Sequence, residues 1–255
     1  MLQRRSFCRF CGCLGVHRYG TDRNRRQRWN CSHCGKVFTR RTNTCKSGSR
    51  LSGQEWQLAT ELFASRGGMS GADLGRVLGY GRRTGQRLNR TFRMAVSRIT
   101  PANLPGATEW DESTALRHQW VLGGVSRTTR QCLLRCIHDR SEQTLTPIVE
   151  RSTDGESPIM TDEWLGYTNL LNRWAVCHAR EFVRKEARFV HTNTQEGIWG
   201  HLKPMGWHLY RGFPRTTLPS FLSEFMFRYN VKSYAVRVAV LSALLTRPKT
   251  NSLVV

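Results

Sequence analysis

Two Cys-x-x-Cys pairs near the N-terminus constrain the fold of this chain more than any other feature. Cys8 and Cys11 form the first pair, Cys31 and Cys34 form the second, and 19 residues separate the pairs. Each pair brings two thiolates to one tetrahedral ion, and this spacing is typical of a four-cysteine zinc site. Because so short a segment buries little apolar surface, we expect zinc to fold it. The sequence therefore predicts a zinc ribbon over residues 1–45.

The same segment offers alternative ligands in Cys13, His17 and His33, although the paired spacing favours the four cysteines. Residues 27–31 and 36–40 are expected to form hairpin strands. The chain has nine cysteines, an odd number, and its Arg-rich N-terminus has no apolar leader segment. We therefore expect a reducing compartment, where cysteines bind metal more often than they form disulfides. We expect the cytoplasm or nucleoid of a bacterium, or the nucleus of a eukaryote.

The charge of the chain is strongly positive and uneven. Forty Lys and Arg residues face 18 Asp and Glu residues, a net charge of +22, and residues 1–50 hold 13 basic residues and one acidic residue. Such a field favours nucleic acid through phosphate contacts and counterion release, although a generic basic surface, as in a ribosomal protein, is the alternative. The zinc ribbon either has a structural role alone or also binds DNA, and we favour DNA binding. The arginines expected to contact phosphates there are Arg25, Arg26 and Arg28.

Residues 51–103 have the pattern of a helix-turn-helix module. Residues 55–64 show apolar side chains at helical spacing, Ser70 is placed to cap a second helix with Asp73 in the capping-box position, and a third helix is expected from Arg82 to Ile99. Glycines separate the helices, as in a helix-turn-helix. The alternative is three packed helices with a solvated basic face. The side chains expected to face DNA are Arg82, Arg83, Gln86 and Arg87.

Three acidic residues beyond this module suggest a phosphodiester site. Asp111 and Asp162 each end an apolar run, and Glu196 lies in a segment predicted to be helical, on the same helix stripe as Asn193 and Lys203. Carboxylates in such positions suit two divalent cations about 4 Å apart, which clamp the attacking and the leaving oxygen. We expect Mg²⁺ or Mn²⁺ at Asp111, Asp162 and Glu196, and a phosphate at Lys203.

The element order predicts an α/β fold. Strands are expected at 107–111, 119–125, 131–138, 157–162 and 175–177, and helices at 141–150, at 164–171 and from about 193 to 203. The order β-β-β-α-β-α-β-α resembles a ribonuclease-H-like domain. We expect that catalytic domain over residues 104–235, preceded by the ribbon and the helical module, with a C-terminal helix and tail at 236–255.

Several motifs in residues 107–230 resemble one family. They are His191-Thr-Asn-Thr-Gln-Glu-Gly-Ile-Trp-Gly-His-Leu-Lys203, Trp110-Asp-Glu-Ser, Gln119-Trp-Val-Leu-Gly-Gly-Val, Asp139-Arg-Ser, Thr161-Asp-Glu-Trp-x-x-Tyr167 and Leu222-Ser-Glu-Phe-Met-Phe-Arg-Tyr-Asn230. They are similar to the DDE transposases of Merlin elements and their bacterial insertion-sequence relatives, including ISXO2-like transposases. The resemblance implies that Asp111, Asp162 and Glu196 bind the catalytic metals. Some relatives use an asparagine third, so Asn193 stays an alternative.

Two details bear on activity. Relatives have a Gly-rich, basic stretch between the first acid and the Gln-Trp strand, whereas here only residues 112–118 lie between them. His178 aligns with a histidine common before the last helix, and it is either near the metals or DNA or simply packed.

The sequence predicts a DNA transposase that binds the terminal inverted repeats of its element, exposes 3′-hydroxyls and joins them to target DNA. Double-stranded DNA is the expected partner, a homo-oligomer on DNA is expected because two ends must be held, and no apolar run is long enough to span a membrane. One alternative is a DNA-binding protein derived from a transposase that no longer cuts. Another is a different ribonuclease-H-like nuclease, such as a junction resolvase.

Overall fold

The computed structural model describes residues 7–115, 119–177, 187–210 and 215–248. Within these ranges the chain forms a small sheet, a helical module, a five-stranded sheet with flanking helices, and a last helix. None of the helices in the described ranges has the length and apolar character needed to cross a membrane.

The N-terminal sheet has three antiparallel strands in the order β1-β2-β3. They are β1 (Val16–Thr21), β2 (Gln27–Cys31) and β3 (Val37–Thr39). The second and third strands match the predicted hairpin, whereas β1 was not predicted because five of its six residues are exposed and show no apolar alternation. Cys8, Cys31 and Phe38 form a very small core, which agrees with a segment that depends on another stabilising element.

The helical module consists of α1 (Gly53–Ala64), α2 (Gly71–Val77) and α3 (Arg82–Val96), followed by a 3₁₀ turn at Ser97–Ile99. Ser70 caps α2 as predicted, since its hydroxyl accepts a hydrogen bond from the backbone N–H of Asp73 at 3.2 Å. The helix α3 ends at Val96, three residues before the predicted end at Ile99, because residues 97–99 form the 3₁₀ turn.

Glycines allow α2 and α3 to cross closely. A Cβ atom on Gly85 would lie 1.9 Å from the carbonyl oxygen of Gly71, and one on Gly75 would lie 2.9 Å from the carbonyl oxygen of Gly81. Both contacts involve rigid backbone, so a side chain at either position would push the two helices apart. In the turn between them, Gly79 has a φ of 72°, which favours glycine. This short glycine turn has the form expected of a helix-turn-helix.

The main sheet has the strand order β6-β5-β4-β7-β8. The strands β4, β5 and β6 are antiparallel neighbours, whereas β7 runs parallel to β4 and β8 runs parallel to β7. The strands are β4 (Thr108–Ala115), β5 (Gln119–Ser126), β6 (Cys132–Cys136), β7 (Ile159–Thr161) and β8 (Arg173–Ala175). The prediction that the first strand ends at residue 111 was wrong, because β4 stays paired with β5 as far as Ala115. The last strand lies two residues earlier than predicted.

Three helices cover this sheet: α4 (Glu142–Arg151), α5 (Asn193–Tyr210) and α6 (Leu218–Asn230). The helix α5 extends seven residues beyond Lys203, because its buried face continues through Gly206 despite the proline at 204. The prediction of a helix at 164–171 was wrong.

Only a 3₁₀ turn, Leu165–Tyr167, forms in place of that helix. Two hydrogen bonds to distant residues hold this turn. The indole N–H of Trp164, just before the turn, donates to the carbonyl oxygen of Arg140, and the hydroxyl of Tyr167, its last residue, donates to Glu112. Gly166 packs against the same carbonyl group, where a Cβ atom would approach to 2.6 Å. These contacts pin the segment to the sheet, so helical periodicity in the sequence does not decide its conformation.

The last helix, α7 (Tyr234–Thr246), is present where helical spacing indicated it. It packs on the helical module: Leu241, Leu244 and Leu245 share a core with residues of α1 and α3, and the guanidinium of Arg237 donates to the carbonyl oxygen of Ala64. The chain thus returns from the main sheet to the helical module. The fourfold division of the chain into domains stays a prediction.

Candidate active site and metal centre

Asp111 lies on the central strand of the main sheet. It pairs with Gly123 of β5, and its Oδ2 atom accepts a hydrogen bond from the indole N–H of Trp199 on α5 at 2.8 Å. A Cβ atom on Gly123 would lie 2.1 Å from the amide nitrogen of Gln195 and 2.8 Å from the Trp199 ring. The glycine therefore lets α5 pack directly on the sheet beside Asp111, and Trp199 fixes the orientation of the carboxylate.

The pKa of Asp111 depends on its burial and on the two other predicted acids. Burial raises the pKa of Asp111 to about 6, and the negative charges of Asp162 and Glu196 contribute to this rise. The hydrogen bond from Trp199 opposes the rise because it stabilises the ionised carboxylate. A half-buried carboxylate that is exposed to the charges of two others is an arrangement that a bound cation would relieve.

Asp162 comes directly after β7. The pairs Thr108–Ile159 and Glu109–Met160 align β7 with β4, and extending that register by two residues sets Asp162 beside Asp111. The Oδ1 atom of Asp162 accepts a hydrogen bond from the backbone N–H of Trp164 at 3.1 Å, which fixes the turn after the strand.

Glu196 lies in the first turn of α5 and is exposed. Asn193, Gly200 and Lys203 are exposed on the same side, so the predicted stripe is present. The buried face contains Ile198, Trp199 and Leu202 among others, and it holds the helix against the sheet. Asn193 is the first residue of the helix and remains an alternative third ligand.

A residue that sequence reasoning missed, Glu109, connects β4 to α5. Its side chain is fully buried and accepts hydrogen bonds from the backbone N–H groups of Thr194 and Gln195 at 2.8 and 3.1 Å. It also accepts bonds from the Thr194 hydroxyl and, at 2.7 Å, from the guanidinium of Arg127. Glu109 therefore satisfies N–H groups of the first turn of α5, the turn that carries Glu196.

Glu112, next to Asp111, is a second buried acid of β4. It forms an ion pair with Arg140 at 3.4 Å, and its side chain is only 2% exposed. The hydroxyl of Tyr167 donates to it at 2.5 Å. Burial raises the pKa of Glu112 to about 7, with the charges of Asp162 and Asp111 adding to the effect.

Arg140 is held between two aromatic rings. Its guanidinium lies 4.3 Å from the ring centroid of Trp120 and 4.0 Å from that of Trp164. These cation–π contacts hold the guanidinium of Arg140 in place, where it forms the ion pair with Glu112. The Asp139-Arg-Ser motif was the only sequence signal for this arginine.

The four predicted cysteines meet in one cluster. The Sγ atoms of Cys8 and Cys34 lie 3.7 Å apart, as do those of Cys11 and Cys31, and all four lie within 4.8 Å of one another. A tetrahedral zinc ion with Zn–S bonds of about 2.3 Å separates its sulfur ligands by about 3.8 Å, so the cluster fits zinc. Cys13, His17 and His33 lie outside it.

The acids do not form such a compact group. Among the described residues, the cysteine quartet is the one set of three or more His, Cys, Asp or Glu side chains whose ligand atoms all lie within 4.8 Å of each other. Asp162 and Glu196 thus raise the pKa of Asp111, but the ligand atoms of the three acids do not all lie within 4.8 Å of one another. Two ions about 4 Å apart require that wider spread.

The predicted DNA-contacting side chains lie in two places. On α3, all four are exposed: Arg82, Arg83, Gln86 and Arg87. In the N-terminal sheet, Arg25 is exposed at the turn between β1 and β2, with Arg26 half-buried beside it, whereas the guanidinium of Arg28 lies 5.4 Å from the ring centroid of Tyr19. His178 lies outside the described residues.

This strand order, with Asp111 on the central strand, Asp162 after its parallel neighbour and a helix packed across them, defines a ribonuclease-H-like domain. The fold class predicted from the sequence is confirmed. Residues 106–230 match the family model of the ISXO2-like transposase domain. The resemblance stated from the motifs is confirmed by this match.

The catalytic core domain of BIV integrase is similar in structure, with 11% sequence identity and a TM-score of 0.35 over 50% of this chain and 84% of that chain. A score this low supports no conclusion about the site. No curated protein matches the chain.

Proposed function

We propose that this protein is a metal-dependent DNA transposase that binds the terminal inverted repeats of its element, cleaves to expose 3′-hydroxyls and joins them to target DNA. The observation that carries the proposal is the shared electrostatic environment of Asp111, Asp162 and Glu196 inside a transposase domain. Carboxylate oxygens are the ligands that Mg²⁺ and Mn²⁺ prefer. Divalent cations bound there supply the charge that activates the attacking oxygen and stabilises the leaving oxygen.

The chain's own residues position these groups. Trp199 orients the Asp111 carboxylate, and Glu109 fixes the start of the helix that carries Glu196. Lys203, exposed two turns further along the same helix stripe, neutralises a phosphate of the bound strand. The positive charge required near the reacting phosphate therefore comes partly from the helix that also bears an acidic ligand.

The N-terminal modules hold DNA. Zinc in the cysteine quartet stabilises the three-stranded sheet, and the exposed side chains of α3 enter a DNA groove, where Arg and Gln read base edges. The proposed contacts in the sheet are Arg25, Arg26 and Arg28. Because each element has two ends, the active assembly contains at least two copies of the chain.

The test is Mg²⁺- or Mn²⁺-dependent cleavage of DNA that contains the ends of the element, comparing wild type with Asp162→Asn. We expect strand cleavage by wild type and a loss of about 1,000-fold or more in the variant, with DNA affinity unchanged, because the carboxylate binds metal rather than DNA. If wild type binds ends but never cuts, the protein is a DNA-binding protein derived from a transposase. If it cuts branched DNA without preference for ends, it is a resolvase-like nuclease.

A further inference from the structure

A groove on the exposed side of α5 includes Lys203, which the proposed reaction uses, and four residues to which that reaction gives no role. Thr114 at the end of β4 lines one side, and Lys203, Pro204, Trp207 and His208 of α5 line the rest. The groove has a volume of about 440 Å³. We refer to these five residues as the α5 groove. Its most unusual member is Trp207, whose large aromatic side chain is 60% exposed.

The α5 groove lies on the same helix stripe as Glu196. Trp207 follows Glu196 by 11 residues, which is three turns and about 16 Å along the helix axis. Lys203 lies between them, one turn before Trp207. A strand within a duplex advances about 3.4 Å per nucleotide, so the distance from Glu196 to Trp207 along the helix corresponds to about five nucleotides of stacked strand.

The chemistry of the groove matches a nucleobase better than an apolar protein segment. Trp207 offers a flat ring, Lys203 is a cation one turn away, and His208 adds an imidazole ring. None of the five lining residues is acidic. Aromatic rings beside cations bind single-stranded nucleic acid by stacking a base on the ring and pairing the adjoining phosphate with the cation. A paired base cannot stack this way, because both of its faces are covered within the duplex.

We propose that the α5 groove binds an unpaired nucleobase of the DNA substrate, which stacks on Trp207 while its phosphate contacts Lys203. The proposal rests on DNA being the substrate, as argued above. It adds a preference for DNA that is single-stranded or frayed about five nucleotides from the reacting bond.

The test is a binding measurement without added divalent cation, so that it does not depend on cleavage. The probes are a fluorescent 20-base-pair duplex with blunt ends, the same duplex with a five-nucleotide thymidine overhang, and one with an overhang of five abasic nucleotides. Wild type, Trp207→Ala, Trp207→Phe and Tyr234→Ala are compared by fluorescence anisotropy. Tyr234 is a control because it is an exposed aromatic residue on α7, remote from the groove in the sequence and outside its lining.

Wild type should bind the thymidine overhang at least about fivefold more tightly than the blunt duplex, which corresponds to one stacked base. Trp207→Ala should lose this preference, Trp207→Phe should keep most of it, and Tyr234→Ala should behave as wild type. The abasic overhang should bind more weakly than the thymidine overhang, because it keeps the phosphates but has no base to stack.

Two results would overturn the proposal: no preference for the thymidine overhang in wild type, or an unchanged preference in Trp207→Ala. The outcome is separable from that of the transposase assay. Overhang binding that depends on Trp207 supports the groove even where no cleavage occurs, and cleavage by a protein without this preference removes the groove and leaves the transposase.

Discussion

The carboxylate of Glu109 accepts hydrogen bonds from both the backbone N–H and the hydroxyl of Thr194, each at 2.8 Å. Glu109 lies two residues before Asp111 on β4, and Thr194 lies two residues before Glu196 on α5. One buried side chain therefore fixes the position of the strand that carries the first acid relative to the helix that carries the third. The geometry of the candidate site depends on this connection.

Replacing Glu109 by glutamine should separate these two elements. The amide would direct its own N–H groups at backbone donors and would leave Arg127 without its buried anionic partner. We expect the free energy of unfolding to fall by about 3–5 kcal/mol. Cleavage should fall about 10- to 100-fold because Glu196 loses its fixed position.

The matched control for Glu109→Gln is Glu150→Gln, because Glu150 is exposed on α4 and the substitution removes the same charge. Urea unfolding and the cleavage assay should both distinguish the two variants. Equal stability and equal activity in Glu109→Gln and Glu150→Gln would show that the cap on α5 does not matter.

The raised pKa of Asp111 predicts a pH-dependent stability. Its pKa is about 6 in the folded chain against an ordinary value of 3.8, so ionising it costs more in the folded chain than in the unfolded one. The resulting stability is present below about pH 4 and is lost as the pH rises through 6. Asp111→Asn should therefore stabilise the protein at pH 7.5, by at most about 3 kcal/mol, and have little effect at pH 4.

Chemical unfolding without added divalent cation measures this difference. Asp154→Asn is a control of opposite sign: hydrogen bonds from Ser157 hold the pKa of Asp154 at about 2, so this variant should lose stability at pH 7.5. Mg²⁺ should then stabilise wild type but not Asp111→Asn, since the ion binds only the ionised carboxylate. An Asp111→Asn protein that is less stable than wild type at pH 7.5 would refute the sign of this argument.

The cysteine quartet predicts one zinc ion per chain. Cys31→Ser removes one of four ligands, and we expect it to lose the ion, to unfold the three-stranded sheet and to weaken DNA binding. Cys13→Ser is the control, because Cys13 is in the same segment but outside the quartet. Metal analysis with anisotropy on duplex DNA checks both. Retention of a full equivalent of zinc by Cys31→Ser would exclude the quartet as the site.

The sequence predicted the cysteine cluster and most elements of the main sheet because both depend on local pattern, whereas the roles of the three acids stay a prediction. Ligand spacing is set within a few residues, and the apolar run before Asp162 marks the end of β7, whereas the run before Asp111 does not mark the end of β4. Glu109 was missed for the opposite reason: it is one of several acids near the start of β4, and only the packing of α5 on the sheet gives it a partner.

Tertiary contacts also explain the wrong helix at 164–171. Its residues have helical spacing, but Trp164 bonds to the Arg140 carbonyl group and Tyr167 bonds to Glu112, so only a short turn forms. The position of Arg140 likewise depends on Trp120 and Trp164, whose rings contact its guanidinium and which lie about 20 residues away on either side along the chain. The site residues that the sequence left unassigned are those whose partners lie far away along the chain.

A second buried glutamate, Glu224 on α6, joins the helical module to the helices of the main sheet. Its carboxylate pairs with Arg93 of α3 at 2.8 Å and with Arg228 at 2.7 Å, and it accepts the hydroxyl of Tyr210 at the end of α5. Glu224→Gln leaves two largely buried guanidinium groups without their anion, so the free energy of unfolding should fall by about 3–5 kcal/mol.

A double-mutant cycle with Arg93→Ala tests that attachment. If the ion pair joins α3 to α6 as the structure has it, the loss in the double variant should be smaller than the sum of the single losses by about 1 kcal/mol or more. Arg98→Ala, at an exposed position in the turn after α3, serves as the control and should be additive with Glu224→Gln. Additivity of Arg93→Ala with Glu224→Gln would instead mean that other contacts hold the helical module, in particular those of α7 with α1 and α3.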